Sequence, residues 1–333
     1  MPPAESRADV LSDVLAICRS EHAVTARFAL SAPWGLASEG TPGALLRMAR
    51  GAPYWMQVAD QPAQRVDAGD LVMVLPGVRH RIVSSQEVQA TPFRDLIRRH
   101  ACGTPGENPL VFSHGEATSE SHALTDLFST HIWFSAYCRH TVFHILPPTI
   151  HIRAQDMGIA SVLATTMQAL IEESLARRPG WRLSGSRMGE LLLVNILREH
   201  LAKSPAASAG WLRGITDPAI ARSIACMHRS PRQEWNLTTL AQEAAMSRTR
   251  FSARFKELVG SSPIEYLTAH RMALAAEALE SDSLHLSEIA DQAGYASEKV
   301  FSRAFRRWSG MTPSAFQKRE SRRRHDAMAQ ARL

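Results

Sequence analysis

The C-terminal third of the chain contains LAQEAAMSRTRFSARFKELVGSSPIEYLTAHRMALAAEAL at residues 240–279 and IADQAGYASEKVFSRAFRRWSGMTPSAFQ at residues 289–317. These stretches are two copies of one pattern, repeated at a period of about 50 residues. The matching positions are Ser247, Phe251, Phe255, Gly260, Pro263 and Tyr266 in the first copy and Ser297, Phe301, Phe305, Gly310, Pro313 and Phe316 in the second. Such a duplication predicts two similar supersecondary units, and it decides the fold of this part of the chain.

Each copy has the element order of a helix-turn-helix unit. A cap residue, Thr238 or Ser287, precedes a short apolar helix, and a tight turn separates that helix from a second one. Aromatic residues four positions apart predict one buried face on each second helix. The opposite faces carry Arg248, Thr249, Arg250, Ser252, Ala253 and Lys256 in the first copy and Lys299, Ser302, Arg303 and Arg306 in the second. Such helices fit the major groove of DNA, where side chains meet base edges and cations meet phosphates.

A long helix is predicted between the two units. Ser262-Pro263-Ile264-Glu265 is a capping box with proline at the first helical position, and the helix continues to Leu279. A rigid spacer of this kind can hold two recognition helices about one DNA turn apart, roughly 34 Å. The charge distribution agrees with a polyanionic partner, because residues 217–333 hold 18 Lys and Arg against 13 Asp and Glu, whereas residues 1–216 hold 20 against 19.

Over about 100 residues the paired units resemble the DNA-binding domain of the AraC/XylS family of transcription regulators. The resemblance implies base-reading roles for Thr249, Ser252 and Ala253 in the first unit and for Glu298, Lys299, Ser302 and Arg303 in the second. Ala253 departs from the polar or basic residue that is often used at its position. Arg250 or Arg254 can compensate for it.

The N-terminal part has the texture of a β-structure. Residues 24–83 consist of short apolar runs separated by proline and glycine. GDLVMVLPGVRH at residues 69–80 resembles the second motif of cupins, and residues 143–152 and 188–198 resemble other parts of the cupin-bearing members of the family. The predicted fold class is therefore α+β: an N-terminal cupin-like β-barrel with flanking helices, and a C-terminal all-α domain of two helix-turn-helix units joined by a long helix.

The domain order follows from these signals. We predict a sensing domain at residues 1–155, a helical dimerisation or connecting region at 156–203, a linker at 204–216, the DNA-binding domain at 217–320 and a basic tail at 321–333. The two predicted helices of the connecting region are candidates for a dimer interface. The alternative is that they only cap the barrel. No apolar run reaches the 18 or more residues that a membrane span needs, and no signal peptide is evident, so a cytoplasmic protein is expected.

The barrel offers candidate ligand residues but no metal site. Metal-binding cupins need two His and a Glu from an earlier strand in addition to a His at the position of His80, and residues 44–58 contain neither His nor Glu. We therefore expect no metal and no cofactor. Trp34, Trp55 and His80 are candidates for lining a ligand pocket or, equally, for ordinary core and barrel-mouth positions.

The four cysteines show no C-x-x-C pairing, so neither a disulfide framework nor a zinc site is expected. Reduced structural thiols are the simplest interpretation. Cys102 or Cys18 can alternatively act as a thiol-based switch, and Cys102 is the better candidate because it follows Arg98, Arg99 and His100.

The function that these patterns predict is a non-enzymatic transcription regulator. Its expected partners are double-stranded promoter DNA, an unknown small-molecule effector, a second copy of the chain in a homodimer and, for an activator, RNA polymerase. A redox switch is the alternative for the sensing mode. A cupin enzyme with an appended DNA module is the alternative class, which the incomplete metal-ligand set disfavours.

Overall fold

The computed structural model describes residues 9–93, 95, 110–114, 124–155, 159–176, 178–203, 209–281 and 284–330. The chain forms two compact units that both draw on separated parts of the sequence. The barrel unit comprises Ser20–Phe134, Pro147–Glu199 and Asp326–Leu333, and the helical unit comprises Met1–Arg19, Ser135–Leu146 and His200–His325. Two short segments of the predicted sensing region therefore pack within the helical unit.

The barrel unit is built from two sheets. In the described residues its strands are β1 (Ser20–Ser31), β2 (Gly35–Ser38), β3 (Ala44–Gly51), β4 (Tyr54–Val58), β5 (Gln64–Val66), β6 (Leu71–Val74), β7 (His80–Val83), β8 (Thr91–Pro92), β9 (Leu110–His114), β10 (Leu124–Phe134) and β11 (Thr149–Ile152). One sheet has the order β11-β6-β3-β10-β1-β9, and the other has the order β5-β4-β7-β2-β8. Neighbouring strands are antiparallel, except that β9 is parallel to β1 and β8 is parallel to β2.

Strand alternation places one apolar cluster between the two sheets, because successive side chains of a strand point to opposite faces. The cluster takes Leu45 and Ala49 from β3 and the even-numbered residues of β4. Its buried members are Phe28, Leu30, Trp34, Leu36, Leu45, Ala49, Tyr54, Met56, Val58, Val66, Val72, Val74, Ile82 and Leu127. The residues on this face line what we call the barrel interior.

Two helices, α3 (Ile159–Ala176) and α4 (Trp181–Lys203), follow the last strand. Both lie within the helical connecting region predicted at residues 156–203. Gly180, at a φ of 89°, ends the preceding turn, and a new helix can begin directly after it.

Residues 129–147 contain the end of a strand followed by a helix. β10 ends at Phe134, and α2 (Ala136–Thr141) begins two residues later, followed by a 3-10 turn at Phe143–Ile145. A short helix near the N-terminus is α1 (Val10–Leu15). Both α1 and α2 belong to the helical unit.

The rest of the helical unit contains the duplicated helices. They are α5 (Gly210–Gly214), α6 (Pro218–Arg229), α7 (Leu237–Glu243), α8 (Arg248–Val259), α9 (Pro263–Ser281), α10 (Leu286–Gln292), α11 (Glu298–Ser309) and α12 (Pro313–Gln330). The helix pairs α7/α8 and α10/α11 are the two helix-turn-helix units, and α9 is the long helix between them. The predicted α+β fold class, with a cupin-like barrel and an all-α C-terminal domain, is confirmed.

Two local expectations are wrong. Asn236 and His285, rather than Thr238 and Ser287, occupy the N-cap positions of α7 and α10, because both helices begin earlier than expected. Residues 210–214 of the predicted linker form α5, whose Trp211 and Leu212 are buried. The predicted basic tail is helical as far as Gln330. The other domain boundaries stay a prediction.

Candidate nucleic-acid interface

Helices α8 and α11 are held by aromatic residues on their buried faces. Phe251 and Phe255 of α8, and Phe301 and Phe305 of α11, are completely buried. Each pair of rings has its centroids 5.6 Å apart. Burial of two aromatic residues four positions apart fixes the rotation of each helix about its axis. The side chains on the opposite face must therefore point outward.

The outward face contains the predicted DNA-contacting residues. Most of them are exposed, whereas Ser252 and Ser302 are half-buried in equivalent positions of the two copies. The exposed residues are Arg248, Thr249, Arg250, Ala253 and Lys256 in α8 and Glu298, Lys299, Arg303 and Arg306 in α11. The two faces together form what we call the recognition surface.

The start of each recognition helix is set by a serine cap. The Ser247 hydroxyl accepts a hydrogen bond from the Arg250 backbone N–H, and the Ser297 hydroxyl accepts one from the Val300 backbone N–H. Left-handed Gly260 and Gly310 end the helices at equivalent positions. The two recognition helices consequently have the same length of 12 residues.

Arg254 has a structural role next to the recognition surface. Its Nε atom lies 3.0 Å from Asp217 Oδ2, and its Nη1 atom lies 3.1 Å from Glu257 Oε2. The Asp217 side chain also caps α6 by accepting from the Ala219 and Ile220 backbone N–H groups. Because Arg254 holds this cap, exposed Arg250 is the better of the two candidates to compensate for Ala253.

Sequence reasoning missed a buried ionic cluster that joins α2 to α9 and α12. Arg139 Nη2 lies 3.0 Å from Glu280 Oε1 and 2.8 Å from Glu320 Oε2. The side chains of Glu280 and Glu320 are 4% and 1% exposed, so this is an interior ion pair rather than a surface one. We call these three residues the Arg139 cluster.

The first turn of α2 is also bound by carboxylates of α9. Glu280 accepts a hydrogen bond of 2.6 Å from the Ala136 backbone N–H, and Glu277 accepts one of 2.9 Å from the Tyr137 N–H. Carboxylates are favourable at a helix N-terminus because the unpaired N–H groups there carry partial positive charge. The helix between the two helix-turn-helix units thus holds a segment that lies more than 100 residues away in sequence.

A buried aromatic group continues this contact. The Tyr137 hydroxyl lies 3.2 Å from His270 Nδ1 and 3.4 Å from His228 Nδ1, and the two imidazole rings stack with centroids 3.9 Å apart. Burial lowers the pKa of His270 to about 3 and also lowers the pKa of His228, where the neighbouring His270 adds to the effect. Both rings are therefore neutral at pH 7.

The three candidate ligand residues of the barrel unit do not share one face. Trp34 and His80 are buried, at 1% and 5% exposure, and Trp34 belongs to the interior cluster. Trp55 is half-buried and lies between Tyr54 and Met56, so it points away from the barrel interior. Within the described residues, no group of three or more His, Cys, Asp and Glu side chains is placed to hold a metal ion.

Two cysteines that are far apart in sequence lie together in the helical unit. Cys18 and Cys138 are both buried, and the two thiols are close enough for Cys18 to affect the pKa of the Cys138 thiol. Burial is the main cause that raises the pKa of the Cys138 thiol, and the neighbouring Cys18 is the second. The raised pKa disfavours the reactive thiolate. Cys102, the preferred redox candidate, lies outside the described residues.

Among the helices that the structure describes, none combines the length and apolar character that crossing a bilayer requires.

Comparisons with known proteins connect both units to characterised families. A family model described as a cupin matches residues 9–202, and one described as a helix-turn-helix domain matches residues 240–319. A putative AraC-like transcription regulator of Streptomyces lividans is 37% identical over 185 residues, which cover 56% of this chain and 60% of that protein. The chain thus spans less than two thirds of that relative.

Two further similarities cover different extents of the chain. The HTH-type transcriptional regulator AlkR of Acinetobacter baylyi is 26% identical over 268 residues, which cover 77% of this chain and 82% of that protein. The solved DNA-binding domain of AdpA, a global transcriptional factor in complex with a target DNA, is 32% identical and covers 32% of this chain and 96% of that one, at a TM-score of 0.31. Because the cupin match spans more than half of the 333 residues and the helix-turn-helix match follows it, the chain belongs to the AraC-type transcription regulators with an N-terminal cupin domain.

Proposed function

We propose that this protein binds double-stranded promoter DNA through the recognition surface, with α8 and α11 reading successive major-groove half-sites. The observation that carries the proposal is that two capped helices of equal length expose matching polar and cationic faces while their aromatic faces are buried. Helices of this kind place side chains against base edges and neighbouring cations against phosphates. Lys256 and Arg306, near the ends of their helices, suit phosphate contacts.

The same proposal includes control by a small effector that binds in the barrel unit, and action as a cytoplasmic homodimer. An effector regulates DNA binding only if it binds the two functional states with different affinity. An activator would also contact RNA polymerase. Thiol-based sensing through Cys102 or Cys18 stays a separate prediction, which a Cys102→Ser protein with an unchanged response to oxidant would contradict.

The first test is binding of the full chain to the DNA that flanks its own gene, compared with scrambled DNA over a salt series. We expect a preference for the native sequence and a binding constant that falls steeply with salt, because each neutralised phosphate releases counterions. A footprint of two half-sites about one helical turn apart would identify α8 and α11 as a pair. Equal binding of both DNAs at every salt concentration would contradict specific recognition of that site.

Arg303 is the most informative single residue of the recognition surface. We expect Arg303→Ala to weaken binding to the specific site by about 1–3 kcal/mol and to relax the sequence preference at one position, as for loss of a bidentate contact to guanine. Competition binding against a set of operator variants measures both effects. Lys318→Ala, which removes an exposed cation from α12, is the matched control. A uniform loss across all sequences would instead make Arg303 a phosphate contact.

A further inference from the structure

The barrel interior contains a cation in an otherwise apolar setting. Arg47 lies on β3 between Leu45 and Ala49, two members of the interior cluster, so its side chain shares their face. Its cross-strand neighbours are Ser129 on β10 and Val72 on β6. The residue is only 7% exposed.

Arg47 has little compensation for this burial. Its Nε atom donates to the Ser129 hydroxyl at 3.3 Å, while Nη1 is buried without a hydrogen-bond partner among the described residues. Burial lowers the pKa of Arg47 to about 10, so the guanidinium remains charged at pH 7. A buried charge without an opposite charge is strongly unfavourable, and structures normally supply a partner.

The buried carboxylate next to β6 is already engaged elsewhere. Asp70 accepts hydrogen bonds from the Asp67 and Ala154 backbone N–H groups and lies 2.8 Å from His151 Nε2. Among the described residues, no carboxylate forms an ion pair with Arg47. A bound anion can therefore supply the charge that the described part of the barrel does not.

Three other polar atoms of the same interior also lack hydrogen-bond partners within the described residues. They are the Tyr54 hydroxyl, Trp34 Nε1 and His80 Nε2. The Trp34 and Tyr54 rings have centroids 6.1 Å apart, and the charge of Arg47 contributes to lowering the pKa of His80 to about 3, after the larger effect of burial. Buried polar atoms are nearly always paired, so unpaired atoms on one face indicate a site that a ligand completes.

The chemistry of these atoms specifies what the ligand must present. Trp34 Nε1 can only donate, and the Tyr54 hydroxyl can donate or accept. His80 Nδ1 lies 3.0 Å from the Val78 carbonyl oxygen, which can only accept, so the neutral ring carries its hydrogen on Nδ1. Nε2 of His80 is then an acceptor. The site accordingly offers a cation and donors for an anion, together with one acceptor for a hydroxyl hydrogen.

A small cavity lies next to these groups. Four residues of the barrel interior line it, Met56, Val58, Val66 and Val72, together with polar residues that include His151. Val72 is the cross-strand neighbour of Arg47, and Val66 is that of Tyr54. The cavity volume is about 20 Å³, enough for a water molecule, so an organic ligand requires the lining side chains to move apart.

We propose that the barrel interior binds a small hydroxylated organic carboxylate, whose carboxylate pairs with Arg47 and whose hydroxyl donates to His80. Tyr54 and Trp34 complete the hydrogen bonds to the carboxylate. This inference rests on the proposed function, because it names the chemical class of the effector. A charged, bidentate pairing gives such a ligand both affinity and orientation in an apolar enclosure.

Calorimetric titration of the full chain with 3-hydroxybutyrate, butyrate and 1,3-butanediol tests the site. The three compounds share a four-carbon skeleton and differ in the carboxylate and the hydroxyl. We expect 3-hydroxybutyrate to bind most tightly, butyrate to bind more weakly, and the neutral diol to bind at least about tenfold more weakly than 3-hydroxybutyrate. Equal binding of all three, or no binding of either carboxylate over the millimolar range, would overturn the proposal.

Substitutions locate the binding to these residues. Arg47→Met keeps an unbranched side chain and is expected to weaken 3-hydroxybutyrate binding at least about tenfold. Arg50→Met, which changes an exposed residue on the opposite face of β3, is the control that should bind as the original protein does. Tyr54→Phe, which removes only a hydroxyl, provides a milder variant that should also weaken binding. Unchanged binding in both Arg47→Met and Tyr54→Phe would refute the assignment.

DNA binding measured with and without 3-hydroxybutyrate separates this inference from the proposed function. Ligand binding without any change in DNA affinity would support the site and contradict effector control by this compound. Specific DNA binding by a chain that binds none of the carboxylates would overturn the site and leave the recognition surface supported.

Discussion

Truncating Phe305 to alanine is expected to lower the free energy of unfolding by about 3–5 kcal/mol, the usual cost of removing a fully buried aromatic side chain. Phe305 is completely buried, and its ring centroid lies 5.3 Å from Phe316 and 5.5 Å from Trp308. These contacts hold α11 against the rest of its unit. Urea denaturation monitored by tryptophan fluorescence measures the change, provided that the transition for this unit is resolved.

The same substitution should also remove specific DNA binding. The outward direction of Lys299 and Arg303 depends on the aromatic face that Phe305 anchors. Val300→Ala is the matched control, because Val300 lies in the same helix at 52% exposure and its truncation should change stability by less than about 0.5 kcal/mol. A Phe305→Ala protein as stable as Val300→Ala would show that α11 is not held by this cluster.

The helix-turn-helix units could be predicted because their information is local and occurs twice. Phe251 and Phe255 fix one face of α8, Phe301 and Phe305 fix the same face of α11, and serines and glycines mark the ends of both helices. Each signal acts within one or two helical turns. The fold of the second copy could therefore be read from the first, and the predicted recognition residues lie on one outward face.

The cupin-like barrel was predicted from a motif, but the residues that form its interior could not be predicted. Arg47 appears in the sequence as one cation in an apolar strand, where alternation could place it on either face. Its position beside the cavity depends on register with β6 and β10, which is set by residues far away in sequence. The same limitation applies to Trp55, a predicted ligand residue that lies on the other face of β4.

The Arg139 cluster was beyond prediction because it joins residues separated by 141 and 181 positions. No local pattern distinguishes Arg139 from an exposed arginine. The residues around Glu280 likewise do not indicate that a segment distant in sequence packs against their helix. Similarly, Cys18 and Cys138 are far apart in sequence, yet both are buried close to each other in the helical unit. Contacts of this kind depend on the assembled fold rather than on sequence periodicity.

Arg139→Met is expected to destabilise the helical unit by about 3–5 kcal/mol, because it removes a cation from between two buried carboxylates. Met keeps the apolar volume of the side chain, so most of the loss should be electrostatic. Arg187→Met is the control: its pair with Glu190 is exposed, at 66% for Arg187, and its loss should cost no more than about 1 kcal/mol.

In the double variant Arg139→Met/Glu280→Met, the loss should be smaller than the sum of the single losses by about 0.5–3 kcal/mol, since removing both charges leaves less uncompensated charge in the interior. Additive losses in this cycle, or an Arg139→Met protein as stable as Arg187→Met, would mean that the ion pairs of Arg139 do not hold α2 on α9.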